Sequence, residues 1–406
     1  MYSDRLIIND PVYGFIPVPR GLLADILAHP FFQRMDRIRQ LGMSATVYPG
    51  AQHTRKQHSL GAFHLMQEAF ITLTEKGVFL FDSEKEGALA SILLHDVGHG
   101  PYSHVLEKVL IRDISHEDIS LLMMERINAE MRGALNLAIK IFTDGYHKRF
   151  IHDLICSQLD VDRLDYLCRD SFYTGVREGN IGAARLIRTM NVADDRIVID
   201  AKGLYSVENY LMARRLMYWQ VYLHKTVVSA EEVLRSALKR AKYLSSQGET
   251  VFCSPALRYF LYNDVDSFSF RESTGLDYYA QLDDSDILCA LKVWQRHPDK
   301  ILSTLSSGFI NRRLFKVDIY DSDIPEELMG EHKSEIAREM GIPVEDADYF
   351  VTTRTVKNEM YSVSSEGIGI LAPDGSVHDI AGLSHIVREE VRDLPDKKVY
   401  VFRQRV

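Results

Sequence analysis

Cysteine is scarce in this chain: Cys156, Cys168, Cys253 and Cys289 are four in 406 residues, with no close paired spacing. That argues against a disulfide framework and predicts reduced, mostly buried thiols in a cytoplasmic protein. Long apolar runs are missing too. None approaches the ~18 residues of a membrane span, and the opening MYSDRLIINDPVYGF lacks the apolar core of a secretory signal. Positive charge is in deficit: 48 Lys and Arg against 57 Asp and Glu leave a net charge of -9. A protein that coats duplex nucleic acid is not expected, although a local basic pocket or a single-strand channel remains open. Internal repeats and low-complexity tracts are absent. What is present is an ordinary globular composition, 46% hydrophobic and 26% charged, with length enough for a large core.

Residues 1–20 place Pro11, Gly14, Pro17 and Pro19 between β-prone pieces and predict a strand or hairpin. From about 21 to 250 the apolar residues recur at helical period, as in GLLADILAHPFFQRMDRIRQLG, SLGAFHLMQEAFITLTEKG and EGALASILLHD. YHKRFIHDLICSQLDVDRLDYLCRD reads as one helix carrying Cys156 and Cys168. NVADDRIVIDAKGLYSV alternates instead, and predicts a β-hairpin centred on Lys202-Gly203. Beyond 250 the pattern is mixed. A helical stretch at 276–306 is followed by strand-like RRLFKVDIY, DYFVTTRTV, GIGILA and KKVYVFRQ around a helix at 324–340, with Asp374-Gly375 as a turn. The expected fold is mainly α: a helical domain over 1–250 with a short N-terminal β segment, then a smaller α+β lobe over 251–406.

Seven of the 15 histidines fall between residues 53 and 116. Two features within this cluster point to chemistry. In ILLHDVGHGPYSH an apolar helix ends in His95-Asp96, and a buried imidazole and carboxylate together call for compensation, which a divalent cation supplies. Adjacent helical residues project about 100° apart, so both reach one ion only where the helix ends, as Gly98, Gly100 and Pro101 predict. A further ligand is expected from SQLDVDRLDYLCRD, where Asp160, Asp162, Asp165 and Asp170 crowd one segment among apolar neighbours.

The ordered set His58, His95-Asp96, Asp162 resembles the signature of the HD-domain metal phosphohydrolases. RIRQLG (37–42), YPGAQHTRKQHSLG (48–61), HDVGHGPYSH (95–104), SHED (115–118), DVDRLDYLCRDS (160–171) and YLHK (222–225) resemble the deoxynucleoside triphosphate triphosphohydrolase branch, the dGTPase-like enzymes. The resemblance spans roughly residues 30–230. It implies a helical HD core, one divalent metal ion (Mn, Fe, Zn, Ni or Mg) on His58, His95, Asp96 and Asp162, and hydrolysis of a dNTP to deoxynucleoside and triphosphate. It further implies that His104 and His116 act as general acid and phosphate-binding histidines, with His99 beside them. Glu107 would stand where the family usually has an Asp that orients the acid. Arg55, Arg163, Tyr166, Arg214 and Lys225 match phosphate-contacting positions. Gln40, Leu41, Asp170 and Tyr222 match positions around the deoxyribose. Members of the family form dimers or larger homo-oligomers, so a homo-oligomer is implied here.

The pattern departs from the family at a regulatory nucleotide site. Vertebrate members use an acidic and a basic residue flanking a PQFQR-type segment, whereas HPFFQRMDRIRQ here carries Ala28 and Asp36 at those places. An aspartate facing a phosphate repels it, so GTP activation does not carry over. Two other readings stay open: the same metal chemistry on a modified or signalling nucleotide, or a non-catalytic protein that binds nucleotides or single strands.

Overall fold

A computed structural model describes residues 5–106, 109–272, 274–358, 361, 367–392 and 396–405. The fold is mainly helical with a smaller α+β lobe, as expected. Strands β1 (Arg5–Asp10) and β2 (Gly14–Pro19) form the antiparallel N-terminal hairpin. Helix α1 (Arg55–Glu75) starts with a capping box, Thr54 with Gln57, and α2 (Asp82–Leu94) buries Ala88 to Leu94 almost without exception. Helix α3 (His116–Glu130) opens on a second capping box, Ser115 with Asp118. Helix α4 (Val161–Thr174) is capped by Asp160 and stops at Gly175, whose φ of 77° is left-handed. Helices α5 (Leu204–Met217) and α6 (Lys225–Ser246) follow, joined by a π-helical turn over Tyr218–Tyr222.

Four expectations are corrected. The segment 21–42 is not one helix: His29 is extended before Pro30, which starts a new helix, because proline crowds an α conformation in the residue ahead of it. The segment 146–170 also breaks. The helix Arg149–Asp153 ends, Cys156 sits in the connection, and α4 begins anew. Hairpin β3 (Met190–Ala193) to β4 (Arg196–Asp200) turns at Asp194-Asp195, both at positive φ, rather than at Lys202-Gly203. Aspartate tolerates that left-handed geometry, and two such residues in a row make the turn that suits strand twist. The cysteines are free but not buried; Cys156 and Cys289 are exposed and the other two half-buried.

The C-terminal strands β5 (Lys316–Tyr320), β6 (Val351–Asn358), β7 (Gly369–Leu371), β8 (Val377–Asp379) and β9 (Asp396–Arg403) form two groups. One sheet has the order β5-β9-β6, all antiparallel. The other runs β8-β7-β4-β3, with β7 parallel to β4, so it joins chain from both sides of residue 250. Gly375, at φ 87°, makes the β7–β8 turn next to Asp374. Among the described residues no helix is long and apolar enough to cross a membrane.

Two glycines set the distances that matter at the centre. At Gly61 a Cβ would lie 1.9 Å from Asp165 Oδ1, so the close crossing of α1 and α4 requires a glycine here. At Gly98 a Cβ would meet the backbone of Ser120 and His116 at 2.2 and 2.3 Å. The loop after α2 therefore lies directly on the first turn of α3. Gly98→Ala should force that turn away and cost about 1–3 kcal/mol of stability, read as a lower Tm in thermal unfolding.

Candidate active site

Where α1, the end of α2 and the start of α4 meet, nitrogen and oxygen ligands converge. His58 Nε2 is 3.3 Å from His95 Nε2 and 3.0 Å from Asp162 Oδ1, and His95 Nε2 is 3.6 Å from Asp162 Oδ1. Asp96 reaches His58 with Oδ2 at 3.7 Å and His95 with Oδ1 at 3.5 Å. Donors about 2.1 Å from one cation lie roughly 3.0–3.5 Å apart, so His58, His95 and Asp162 are spaced as a ligand group, with Asp96 alongside.

Each imidazole is turned by a second partner. His95 Nδ1 is 2.7 Å from the carbonyl of Ile92, which leaves Nε2 for a ligand. His58 Nδ1 is 2.7 Å from Asp165 Oδ2. Arg169 donates Nε and Nη2 to the two Asp165 oxygens, at 2.9 and 3.0 Å, and Nη1 to Asp10 Oδ2 at 2.8 Å. Asp10 in turn accepts from the backbone of Val12 and Tyr13 at the tip of the β1–β2 hairpin. Arg55 donates to Asp96 Oδ2 at 2.7 Å.

The charges in this cluster do not balance. Among the described residues the guanidinium partners of Asp10, Asp96, Asp162 and Asp165 are Arg55 and Arg169, and their other ion-pair partners are the imidazoles of His58, His95 and His99, so with neutral imidazoles two negative charges are left in a mostly buried place. A divalent cation on neutral imidazoles cancels that surplus, so the donor set fits such an ion in charge as well as spacing. Without the cation, protons take its part. Burial alone would lower His58, but hydrogen bonds to Asp162 and Asp165 outweigh it and hold His58 up at about 10. His95 is likewise raised against its burial, by Asp96 and Asp162. Burial would raise Asp162, yet its bonds to His58 and His95 hold it below the usual carboxylate range.

The cluster opens into a cavity of about 570 Å³. Its walls bring together Gln40, Leu41, Arg55, Asp96, His99, His116, Asp162, Arg163, Tyr166, Asp170 and Tyr222 of the expected site. His58 and His95 lie behind that wall, buried. Lys225 is exposed at the first turn of α6, and Arg214 is half-buried on α5; neither lines the cavity. Glu107 and the His104 side chain lie outside the described residues. His99 and His116 stack with ring centres 3.9 Å apart. Burial and then the Arg55 cation push His99 down to about 3, so it is neutral, while His116 faces Glu117 at 3.1 Å. Asp170 accepts the Tyr222 hydroxyl at 2.7 Å and lies 2.8 Å from His53 Nε2. Among the described residues three buried polar atoms on these walls have no partner: the donor Arg55 Nε, the acceptor Gln40 Oε1 and the Ser44 hydroxyl.

Reading of the sequence missed Asp10, His53 and Arg169, and took Asp165 only as part of an acidic crowd. It also missed Glu231 and Arg354, which line the same cavity. The one available signal was the four-residue spacing of Asp165 and Arg169, which puts them on one helix face.

Comparison with known proteins is consistent in direction. Residues 181–251 match the family model described as the HD associated region. A phosphohydrolase of Bacteroides thetaiotaomicron, known from a crystal structure, is 56% identical, covers 99% of this chain and all of its own, and superposes with a TM-score of 0.96. The uncharacterized protein YwfO of Bacillus subtilis is 34% identical over 401 residues, 95% of this chain and 89% of its own. A deoxynucleoside triphosphate triphosphohydrolase SAMHD1 homolog of Dictyostelium discoideum is 30% identical over 262 residues, 59% of this chain and 51% of its own.

The geometry sets the metal chemistry of these residues. A cation must displace a proton from His58, so affinity should rise about tenfold per pH unit between pH 7 and 9, measured by competition with a chelator dye. An ordinary histidine would give a plateau there. Asp165→Asn should weaken metal binding roughly 10- to 100-fold while the circular dichroism stays helical.

Proposed function

The chain belongs to the HD-domain phosphohydrolase family, and from that premise we infer that it hydrolyses deoxynucleoside triphosphates to deoxynucleoside and triphosphate. The observation that carries this reading is that Arg55 Nε and Gln40 Oε1, two of the three unpartnered polar atoms in the cavity beside the Ser44 hydroxyl, are a donor and an acceptor. The first asks for an anion near the metal-type cluster, and the second for a hydroxyl further along. A polyphosphate attached to a sugar offers both.

A divalent cation on His58, His95, Asp96 and Asp162 supplies Lewis-acid polarisation of a phosphoryl oxygen and acidifies water. The chain does the rest. Arg55 and Arg163 hold non-bridging phosphate oxygens with planar guanidinium groups. Arg214 and Lys225 lie outside the cavity wall, so no phosphate contact is assigned to them. Water attacks the α-phosphorus, the bond to the 5′-oxygen breaks, and that oxygen takes a proton. His116 carries the proton, because His99 is held neutral beside it and Glu117 faces the imidazole. His104, with Glu107 to orient it, is the family's other acid position. Gln40 Oε1 accepts from the 3′-hydroxyl, with the Asp170 carboxylate beside it, while Leu41 and Tyr222 close on C2′. Tyr222 is pinned there by its own bond to Asp170, so an added 2′-hydroxyl would meet a fixed ring.

Incubation with each dNTP and with GTP, with Mn²⁺ or with chelator, followed by ion-exchange chromatography, tests the reading. Deoxynucleoside plus triphosphate is expected from dNTPs only, and only with metal. Monophosphate plus pyrophosphate would move the attack to another bond, and turnover of another nucleotide alone would change the substrate. Asp162→Ala should lose both metal and turnover yet remain folded. His116→Ala should keep the metal and slow turnover by ~10²–10⁴.

A further inference from the structure

The cavity has one carboxylate that neither the metal-type cluster nor the sugar residues use. Glu231 stands on α6, one turn and about 6 Å beyond Val227, and both line the wall that begins at Tyr222 and Leu223. Its Oε2 accepts from Arg354 Nη1 at 2.7 Å, and Arg354 lines the cavity too. Both side chains keep contact with water, at 18% and 27% exposure. Arg354 comes from β6, in the C-terminal sheet. Directly across from it on β9 is Tyr400, which donates its hydroxyl to the Leu223 carbonyl at 3.0 Å. Ser229 on α6 bonds the carbonyl of Phe315 just before β5. The sheet is thus seated on the cavity wall, with Arg354 held at a fixed register.

The order along the walls gives this pair its place. Asp162 belongs to the metal-type cluster in the first turn of α4. Asp170 lies two turns further on and meets Tyr222. From Tyr222 the wall continues through Leu223 and Val227 to Glu231. A nucleotide with its α-phosphate at Asp162 and its sugar at Asp170 and Tyr222 directs its base along that continuation.

We propose that the Glu231–Arg354 pair reads the base of the substrate and selects guanine; this rests on the nucleotide reading above. A carboxylate accepts and a guanidinium donates, and the two stand side by side. Guanine presents a matching edge: O6 and N7 accept from an arginine in bidentate fashion, and the adjoining N1–H and N2–H donate to a carboxylate. Because O6 and N1–H are neighbours, the two side chains need not part to reach them. Adenine sets its N1 acceptor against the carboxylate, and the pyrimidines offer only part of the pattern. Val227 and Leu223 supply the apolar floor.

The test is equilibrium binding of the four dNTPs to the full-length protein in chelator, beside steady-state hydrolysis with Mn²⁺. Wild type should bind dGTP roughly ten- to a hundredfold more tightly than dCTP or dTTP. Glu231→Gln and Arg354→Lys should each flatten that ratio by weakening dGTP binding more than dCTP or dTTP binding. A merely structural salt bridge is separated by the double exchange Glu231→Arg with Arg354→Glu, which restores pairing. The proposal expects the Tm to recover without the guanine preference. Equal wild-type affinity for all four dNTPs overturns the base assignment and leaves the hydrolase reading standing. Recovery of preference together with Tm also overturns it. No binding of any dNTP by folded protein sinks both.

Discussion

Two uncompensated negative charges at the crossing of α1, α2 and α4 are the constraint on which the rest of the structure depends. Four carboxylates share a largely dry space with two guanidinium groups. Such a cluster is costly unless a cation or protons complete it. The fold is arranged to keep it in place. Gly61 lets α1 approach the Asp165–Arg169 pair, Gly98 lays the loop after α2 on α3, and Asp10 closes the far side from the hairpin tip. The capping boxes of α1 and α3 fix where those helices begin, and so where His58 and His116 point.

The cavity is the second consequence. One end carries the surplus negative charge meant for a metal, and around it stand Arg55, Arg163 and the stacked His99–His116 pair. The π-helical turn over Tyr218–Tyr222 adds a residue to the helical period there and swings Tyr222 onto Asp170. The C-terminal sheet then closes the wall along α6. Helical core and α+β lobe are joined through this wall, through the sheet that pairs β7 with β4, and through bonds such as Arg37 to Asp283 and Arg240 to Asp346.

Much of this was legible in the sequence wherever the signal was local. The apolar run ending in His95-Asp96, the Ser115-Asp118 box and the helical period of α1 and α6 each involve neighbours along the chain. The Asp374-Gly375 turn reads the same way. What escaped depends on contacts between distant residues. Asp10 and Arg169 are separated by 159 positions and Glu231 and Arg354 by 123, and no spacing rule reaches that far. Asp165 looked like one acid among several, because only the fold shows which carboxylate meets a ring nitrogen. The misplaced hairpin turn had another cause: Lys-Gly is a common turn pair, but here two aspartates take the left-handed positions and Gly203 packs against Ile199 and Thr189. The cysteines were expected inside because free thiols usually are, and two of them are exposed instead, Cys156 in a connection and Cys289 on the outer face of the helix Asp284–Trp294.

The central claim is that the site breaks the bond between the α-phosphorus and the 5′-oxygen by attack of water at phosphorus. Single-turnover hydrolysis of dGTP in ¹⁸O-labelled water, with Mn²⁺ and mass spectrometry of both products, tests it directly. One ¹⁸O in the triphosphate and none in the deoxyguanosine is the predicted result. Label in the nucleoside, or label in a monophosphate released with pyrophosphate, would contradict it.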